Sequence, residues 1–234
     1  MADSPPNGLG ESRIVGATNG RMPWVPVAIM SAAVILYIWR TDFEPRWPLI
    51  LGAFLLACQI FIRMPFAHRV KTVTVARSNV DRTDMLLMYG VFATMVVLPL
   101  LRLATPLLDR FDYILPTYGT IAGAATMIFG LWLFHRSHAD LGKQWSASLQ
   151  IGKDHELVKS GVYARIRHPM YSAIWLIALA HPLLFQNWIA GPPILMAWAV
   201  LYFRRLPHEE AMMVEKFGED YERYRNRAGA LWPR

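Results

Sequence analysis

A single cysteine, Cys58, occurs in 234 residues. That excludes an intramolecular disulfide framework and a cysteine-built zinc site. Charge is scarce too: Asp, Glu, Lys and Arg make up 18% of the chain, against about 25% in an ordinary soluble domain. Acidic residues are the scarcer sign, 17 against 24 Lys and Arg, for a net charge of +7. No G-x-G-x-x-G follows a strand and there is no P-loop. H-E-x-x-H and G-x-S-x-G are also missing. His135 and His138 have an i, i+3 spacing, but no second cluster of ligating residues completes a metal site, so no metal is expected.

What is present is apolar. Hydrophobic residues reach 54% and the mean hydropathy is +0.26. So greasy a chain is not a disordered one. Its basicity does not imply a nucleic-acid partner, which would not need so much apolar surface. A membrane protein in contact with lipid is the leading class.

The first 20 residues are rich in Gly, Ser, Pro and Asn and read as a mobile tail. They lack the basic start and apolar core of a secretory signal, so the first apolar run is expected to stay as an anchor. Uncharged runs follow at Met22–Trp39, Trp47–Ile62 (continuing as Met64–Ala67), Met85–Leu101 and Tyr113–Phe134. Their lengths suit membrane helices, which need about 17–25 mostly apolar residues. The last run, Pro169–Phe203, has 35 residues. As one helix it would measure about 52 Å, against a hydrocarbon core of about 30 Å. Gln186, Asn187 and Gly191-Pro192-Pro193 break it near the middle. It therefore reads as a helical hairpin that either crosses fully or dips in and returns. The expected fold is an all-α polytopic membrane helix bundle of about six transmembrane segments, the last two forming the hairpin.

Charge tests that topology. With these spans, 20 of the 24 Lys and Arg fall on one side and four on the other. The positive-inside rule then puts the tail, the 63–84 and 135–168 loops and the C-terminal segment 204–234 in the cytoplasm. The two long cytoplasmic segments flank the hairpin, which brings them together. They hold five of the seven His, so a site is expected there, at the membrane surface.

Two strings stand out. In HELVKSGVYARIRHPMY, His155–Tyr171, Gly161 permits a turn and Pro169 can open a helix. Arg167 and His168 then sit at a helix N-terminus, suited to anions, or are simple interfacial anchors. In RRLPHEEAMMVEKFGEDYERYRNR, Arg204–Arg227, Pro207 can start a new helix with Glu209 and Glu210 in its acidic first turn. Alternatively the hairpin's second helix runs on through Pro207, and Arg205 and Glu209 share a face. Gly218 suits a helix end. Tyr221, Tyr224 and Trp232 are expected to be interfacial or packing aromatics. His181, inside the apolar hairpin, reads as a satisfied core histidine.

Over roughly 138–234 the chain resembles the isoprenylcysteine carboxyl methyltransferase family and its wider group of membrane methyltransferases, which includes phospholipid methyltransferases. The resemblance lies in H-x-L-V-x-S-G-V-Y (His155–Tyr163), R-H-P-x-Y (Arg167–Tyr171), the long hairpin, and E-E-x8-G-x2-Y-x2-Y (Glu209–Tyr224). With the runs read above, the chain divides into a tail over 1–21, four transmembrane helices over 22–134 and, where the resemblance lies, a catalytic region over 135–234. The resemblance further implies the cofactor S-adenosylmethionine, bound without a Rossmann domain. His155, Leu157, Val158, Tyr163, His168, Pro169, Met170, Tyr171 and Glu209 would line its pocket. Arg205 would contact the substrate, and Arg205, Glu209 and Glu210 would be the catalytic set, Glu210 as base if the acceptor is an amine. The expected acceptor is lipidic or prenylated, most like a prenylcysteine carboxylate. A phospholipid amine, a small thiol or amine, and an NADPH-dependent reductase of the sterol type stay open as alternatives. The expected location is a bacterial inner membrane, or the endoplasmic reticulum in a eukaryote, with both termini cytoplasmic. Oligomeric state is not legible.

Overall fold

A computed structural model describes residues 24–44, 46–69, 75–78, 82–142, 150–152 and 156–234. The expected tail over 1–21 and the candidate His155 lie outside the described residues. The helices are α1 (Trp24–Arg40), α2 (Trp47–Arg69), α3 (Arg82–Phe92), α4 (Leu98–Ala104), α5 (Thr117–Leu141), α6 (Pro169–Phe185), α7 (Pro193–Phe217) and α8 (Glu219–Arg227). A π-helical turn, Ala93–Val97, joins α3 to α4, so Arg82–Ala104 forms one rod of 23 residues. Among the described residues, three helices are long and apolar enough to cross a membrane, Trp47–Pro65, Arg82–Ala104 and Thr117–Leu141, and Val25–Arg40 and Pro169–Phe185 are shorter apolar helices. With the apolar half of α7, these make the six expected segments of a polytopic membrane bundle. The all-α class gains one addition: β1 (Val75–Ser78) pairs antiparallel with β2 (Gln150–Gly152).

Small residues set the closest packing. A Cβ on Gly123 of α5 would lie 2.6 Å from Leu183 Cβ of α6, and one on Gly130 would lie 3.1 Å from Ile177 Cγ1. Glycine at these two positions lets the helices approach, as small residues do between membrane helices, where lipid supplies no hydrophobic drive for association. The core around this pair includes Met127, Leu131, Ile177, Leu184, Ile194, Trp198 and Leu201.

The hairpin crosses the whole bundle. Its turn begins at Gln186, in the left-handed region at φ 46°, and is fixed by Asn187. The Asn187 side-chain oxygen accepts from the backbone N–H of Ile189 and Ala190, both at 3.0 Å, and its amide donates to Leu108 O and Asp112 Oδ1, both at 2.7 Å. Leu108 and Asp112 belong to the α4–α5 connection. Arg46, in the α1–α2 connection, donates to Asp112, Tyr113 O and Gln186. Three connections thus meet at one end, away from the start of α6 and the end of α7.

That end absorbs its few cations. Arg102, only 3% exposed, meets Asp109 and Asp112, and Arg40 donates to Asp109 at 2.7 Å. A buried network of this kind adds more to the uniqueness of the loop arrangement than to net stability, because desolvation offsets much of the Coulomb gain.

The expectation that Pro207 starts a new helix is corrected. Pro207 lies inside α7, which runs unbroken to Phe217 and ends at Gly218 with φ 52°. Proline removes one hydrogen bond from a helix interior, but the packed residues on both sides, Leu201, Tyr202, Arg205 and Met212, hold α7 together. The other expectation at this point holds: Arg205 and Glu209 lie one turn apart on one helix.

Candidate active site

The site forms where the basic ends of the hairpin meet. His168 precedes α6 with non-helical φ and ψ of −124° and 58°, and Pro169 occupies the first turn. That placement aims the His168 and Arg167 side chains at the polar extension of α7, beyond the end of the apolar run at Phe203. There Glu210 Oε1 accepts from Arg167 Nη2 at 2.8 Å and Nε at 3.1 Å, and from His168 Nε2 at 3.2 Å. Arg225 Nε lies 3.7 Å from Glu210 Oε2. Glu209 points to the other side of the imidazole. Its Oε2 is 3.7 Å from His168 Nδ1, and its Oε1 accepts from the Tyr171 hydroxyl.

The two neighbouring carboxyls have opposite environments. The hydrogen bond from His168, with Arg167 beside it, holds Glu210 down at about 2. Burial pushes the Glu209 carboxyl up, against the opposing pull of His168, Tyr171 and Arg205. Adjacent acids driven apart in this way are a feature of functional sites, as they also are of ion-pair networks. Glu209 keeps 27% of its side-chain surface exposed and, among the described residues, accepts no arginine hydrogen bond, so it is the carboxylate more open to a ligand.

Arg167 also ties the C-terminal segment to this corner. Its Nη1 donates to Arg225 O at 3.1 Å and to Ala228 O, carbonyls at the C-terminal end of α8. Such terminal carbonyls lack helical partners and favour a cation. The backbone N–H groups of Arg167 and His168 donate to Gly229 O and Ala230 O at 2.8 and 3.0 Å. The Ser172 hydroxyl donates to Leu231 O at 2.6 Å. Tyr221, Tyr224 and Ala228 form a buried cluster against which Leu157 packs. Of the expected aromatics, Tyr221 and Tyr224 are therefore packing residues, whereas Trp232 is 62% exposed.

The remaining expected cofactor residues separate into two kinds. Pro169 and Tyr171 are buried at the start of α6, and Met170 is half-buried beside Leu133, Phe134 and Ala173. Tyr163 sits deeper. The Gly161–Ala164 turn buries it, its hydroxyl donates to Ser137 O at 3.3 Å, and burial pushes that hydroxyl's pKa up. Its ring is part of the wall behind the site, and its carbonyl accepts from Tyr224 at 2.6 Å. Leu157 and Val158 are half-buried.

Sequence reasoning missed three contributors. Arg167 was read only as a terminal cation. Trp175, Trp198 and Tyr202 form an aromatic cluster with the expected Tyr171, which is edge-on to Trp198 and Tyr202 at centroid distances of 5.4 and 5.7 Å, with Trp175 at 5.8 Å from Tyr202. The i, i+4 spacing of Tyr171 with Trp175 and of Trp198 with Tyr202 was the available signal. The third contributor is α3, whose Asp84 accepts from Arg204 Nε at 2.9 Å. Arg205 itself is buried, 8% exposed.

The fold and site define a polytopic membrane helix protein with a cluster of charged side chains at one end of the hairpin. Comparison with known proteins places it further. Residues 123–215 match the sequence model of the isoprenylcysteine carboxyl methyltransferase (ICMT) family. Protein-S-isoprenylcysteine O-methyltransferase of Schizosaccharomyces pombe is 30% identical over 118 residues, 50% of this chain and 50% of that protein. The Homo sapiens protein of the same name is 31% identical over 115 residues, 47% of this chain and 40% of that one. The matched stretch thus spans about half the length of these relatives. A solved structure, described as the eukaryotic intramembrane Ras methyltransferase ICMT, aligns with a TM-score of 0.57 and 18% identity over 89% of this chain and 75% of that one. The resemblance read from the motif strings is borne out over residues 123–215, and the fold similarity extends through the N-terminal helices.

Proposed function

We propose that this protein transfers a methyl group from S-adenosylmethionine to the carboxylate of a lipid-tailed acceptor, most like a prenylcysteine. The observation that carries the reading is the pairing on α7 of a buried arginine, Arg205, with an open carboxylate, Glu209, one turn along, next to the His168–Tyr171 corner. The donor set fits the cofactor's chemistry. A carboxylate partner for an ammonium group is present in Glu209. Buried aromatic faces for a sulfonium are present in Tyr171, Trp198 and Tyr202. When bound, S-adenosylmethionine supplies an electrophilic methyl carbon.

The chain's own residues then have positioning roles. Glu209 orients the cofactor. His168 and Tyr171 hold Glu209. Arg205 holds the acceptor carboxylate, which is already nucleophilic at neutral pH and needs no base. Reaction requires the two reacting atoms within about 3–3.5 Å of each other and little water, which the aromatic cluster helps exclude. Glu210 does not suit the role of base considered for an amine acceptor. A carboxyl held at about 2 by His168 and Arg167 is a weak base. Its role here is to position His168 and Arg167, and this favours the carboxylate over the amine acceptor. The basic end that carries the site faces the cytoplasm by the positive-inside rule, so polar cofactor arrives from water and the acceptor from lipid.

The test is incubation of membranes containing the protein with labelled S-adenosylmethionine and an S-farnesylcysteine free acid. Base-labile methyl ester is the expected product. Label in an amine product instead, or binding of NADPH in place of S-adenosylmethionine, overturns the proposal.

A further inference from the structure

Two consecutive arginines of α7 meet one face of α3 with unequal partners. Asp84 and Met88 lie four apart on α3 and so share a face. Arg204 donates to the buried Asp84 carboxylate at 2.9 Å. Arg205 donates through Nη2 to the Met88 thioether at 3.0 Å, and its buried Nε has no hydrogen-bond partner among the described residues. A thioether is a weak, uncharged acceptor. A guanidinium that is 8% exposed and satisfied only this poorly is costly to bury, and an anion gains more there than at a group already paired. Methionine, unbranched and flexible, yields its place with little strain.

We propose that Met88 is a gate residue for the acceptor: its sulfur occupies a donor of Arg205 in the empty site, and the acceptor's carboxylate displaces it. The inference rests on the reading of Arg205 as the acceptor's partner and adds what selects the head group. Asp84 is the anchor that fixes Arg204, so the gate acts on Arg205 alone. The flanking surfaces suit an apolar tail. Leu86 and Tyr89 of α3 and Val200 and Phe203 of α7 are all more than half exposed, so both helices offer apolar surface to a tail. The ligand class is therefore a planar carboxylate at the end of a long apolar chain, entering between α3 and α7. Residues 82–104 lie outside the stretch that matches the family's sequence model.

The test measures binding of S-farnesylcysteine free acid and of its methyl ester to the detergent-purified protein without cofactor, by quenching of tryptophan fluorescence. Wild type is expected to bind the acid about 10-fold or more tightly than the ester, as loss of a charge-assisted pair dictates. M88Q supplies a stronger internal acceptor to Arg205 and is expected to weaken acid binding about 5-fold or more while sparing the ester. M88L removes the sulfur at similar volume, and acid binding is expected to equal or exceed that of wild type. Equal weakening in M88L and M88Q, or acid binding by M88Q at the wild-type level, overturns the gate and leaves Arg205's role standing. A wild type that binds acid and ester alike overturns the carboxylate reading beneath it as well.

Discussion

Replacing Glu210 by Gln isolates the ion-pair corner from the chemistry. Glu210 is 16% exposed and accepts from Arg167 and His168, with Arg225 nearby. Holding the carboxyl at about 2 rather than the usual 4.5 corresponds to an upper limit of about 3 kcal/mol of folded-state interaction. Screening at a corner that still touches water brings this to about 1–2 kcal/mol. The sign follows from the direction of the change. A carboxyl with a depressed folded pKa contributes its stability above the unfolded value and loses it as pH falls through the folded one. Wild type should therefore exceed Glu210→Gln by about 1–2 kcal/mol at pH 7, and the gap should close between about pH 5 and pH 2. Unfolding in detergent, followed by tryptophan fluorescence at several pH values, measures it. A gap that stays constant from pH 7 to pH 3 refutes the electrostatic account and leaves only shape. A Glu210→Gln variant that keeps cofactor affinity but loses turnover by more than about 100-fold refutes the view that Glu210 is not a base.

Glu209→Gln should behave in the opposite way. Burial penalises its charge, so the variant should unfold no more easily than wild type at pH 7, yet lose about 10-fold or more in S-adenosylmethionine binding. A stability loss with binding intact contradicts its assignment. Arg205→Ala should weaken binding of the free-acid acceptor about 10- to 100-fold, the value of a charged hydrogen-bond pair, with cofactor binding spared. Equal loss of both would assign it to the fold. Gly161→Ala should destabilise by about 1–3 kcal/mol, because φ is +60° and a Cβ would lie 2.2 Å from Asp140 Oδ2, read as a lowered unfolding temperature. Tyr224→Phe removes a buried 2.6 Å hydrogen bond to Tyr163 O and should cost about 1–2 kcal/mol, with faster proteolysis of α8.

The membrane segments were legible because their signal is a sum over many residues. Uncharged runs and the alternation of Lys and Arg depend on no single contact, and the structure puts α1, α2, the α3–α4 rod, α5 and the hairpin where those sums pointed. Local signals fared worse. Pro207 reads as a helix start, since proline lacks the N–H a helix interior needs. Tertiary packing on α7 overrode it, because Leu201, Tyr202, Arg205 and Met212 are buried along one continuous helix. His168 and Glu209 were legible through their motif. The partition of Glu209 and Glu210 was not, because adjacent residues on a helix point about 100° apart and only the position of His168 between them decides which faces Arg167.

The same reasoning explains why the N-terminal half contributes silently. Asp84 and Met88 carry no motif and sit about 120 residues before their partners. A lone acid near the start of an apolar run reads as a helix-terminal charge, and a methionine within it as lipid-facing bulk. They gain meaning only once α3 lies against α7 and the two arginines are counted against them. Arg204 then has its carboxylate, and among the described residues the hydrogen-bond acceptor of Arg205 is sulfur. A membrane site for an anion needs this asymmetry. A guanidinium fully matched by the protein has nothing left to offer a ligand, and one with no partner at all is too costly to keep buried. The weak acceptor on Arg205 lies between these limits, and that makes α3 part of the site rather than its scaffold.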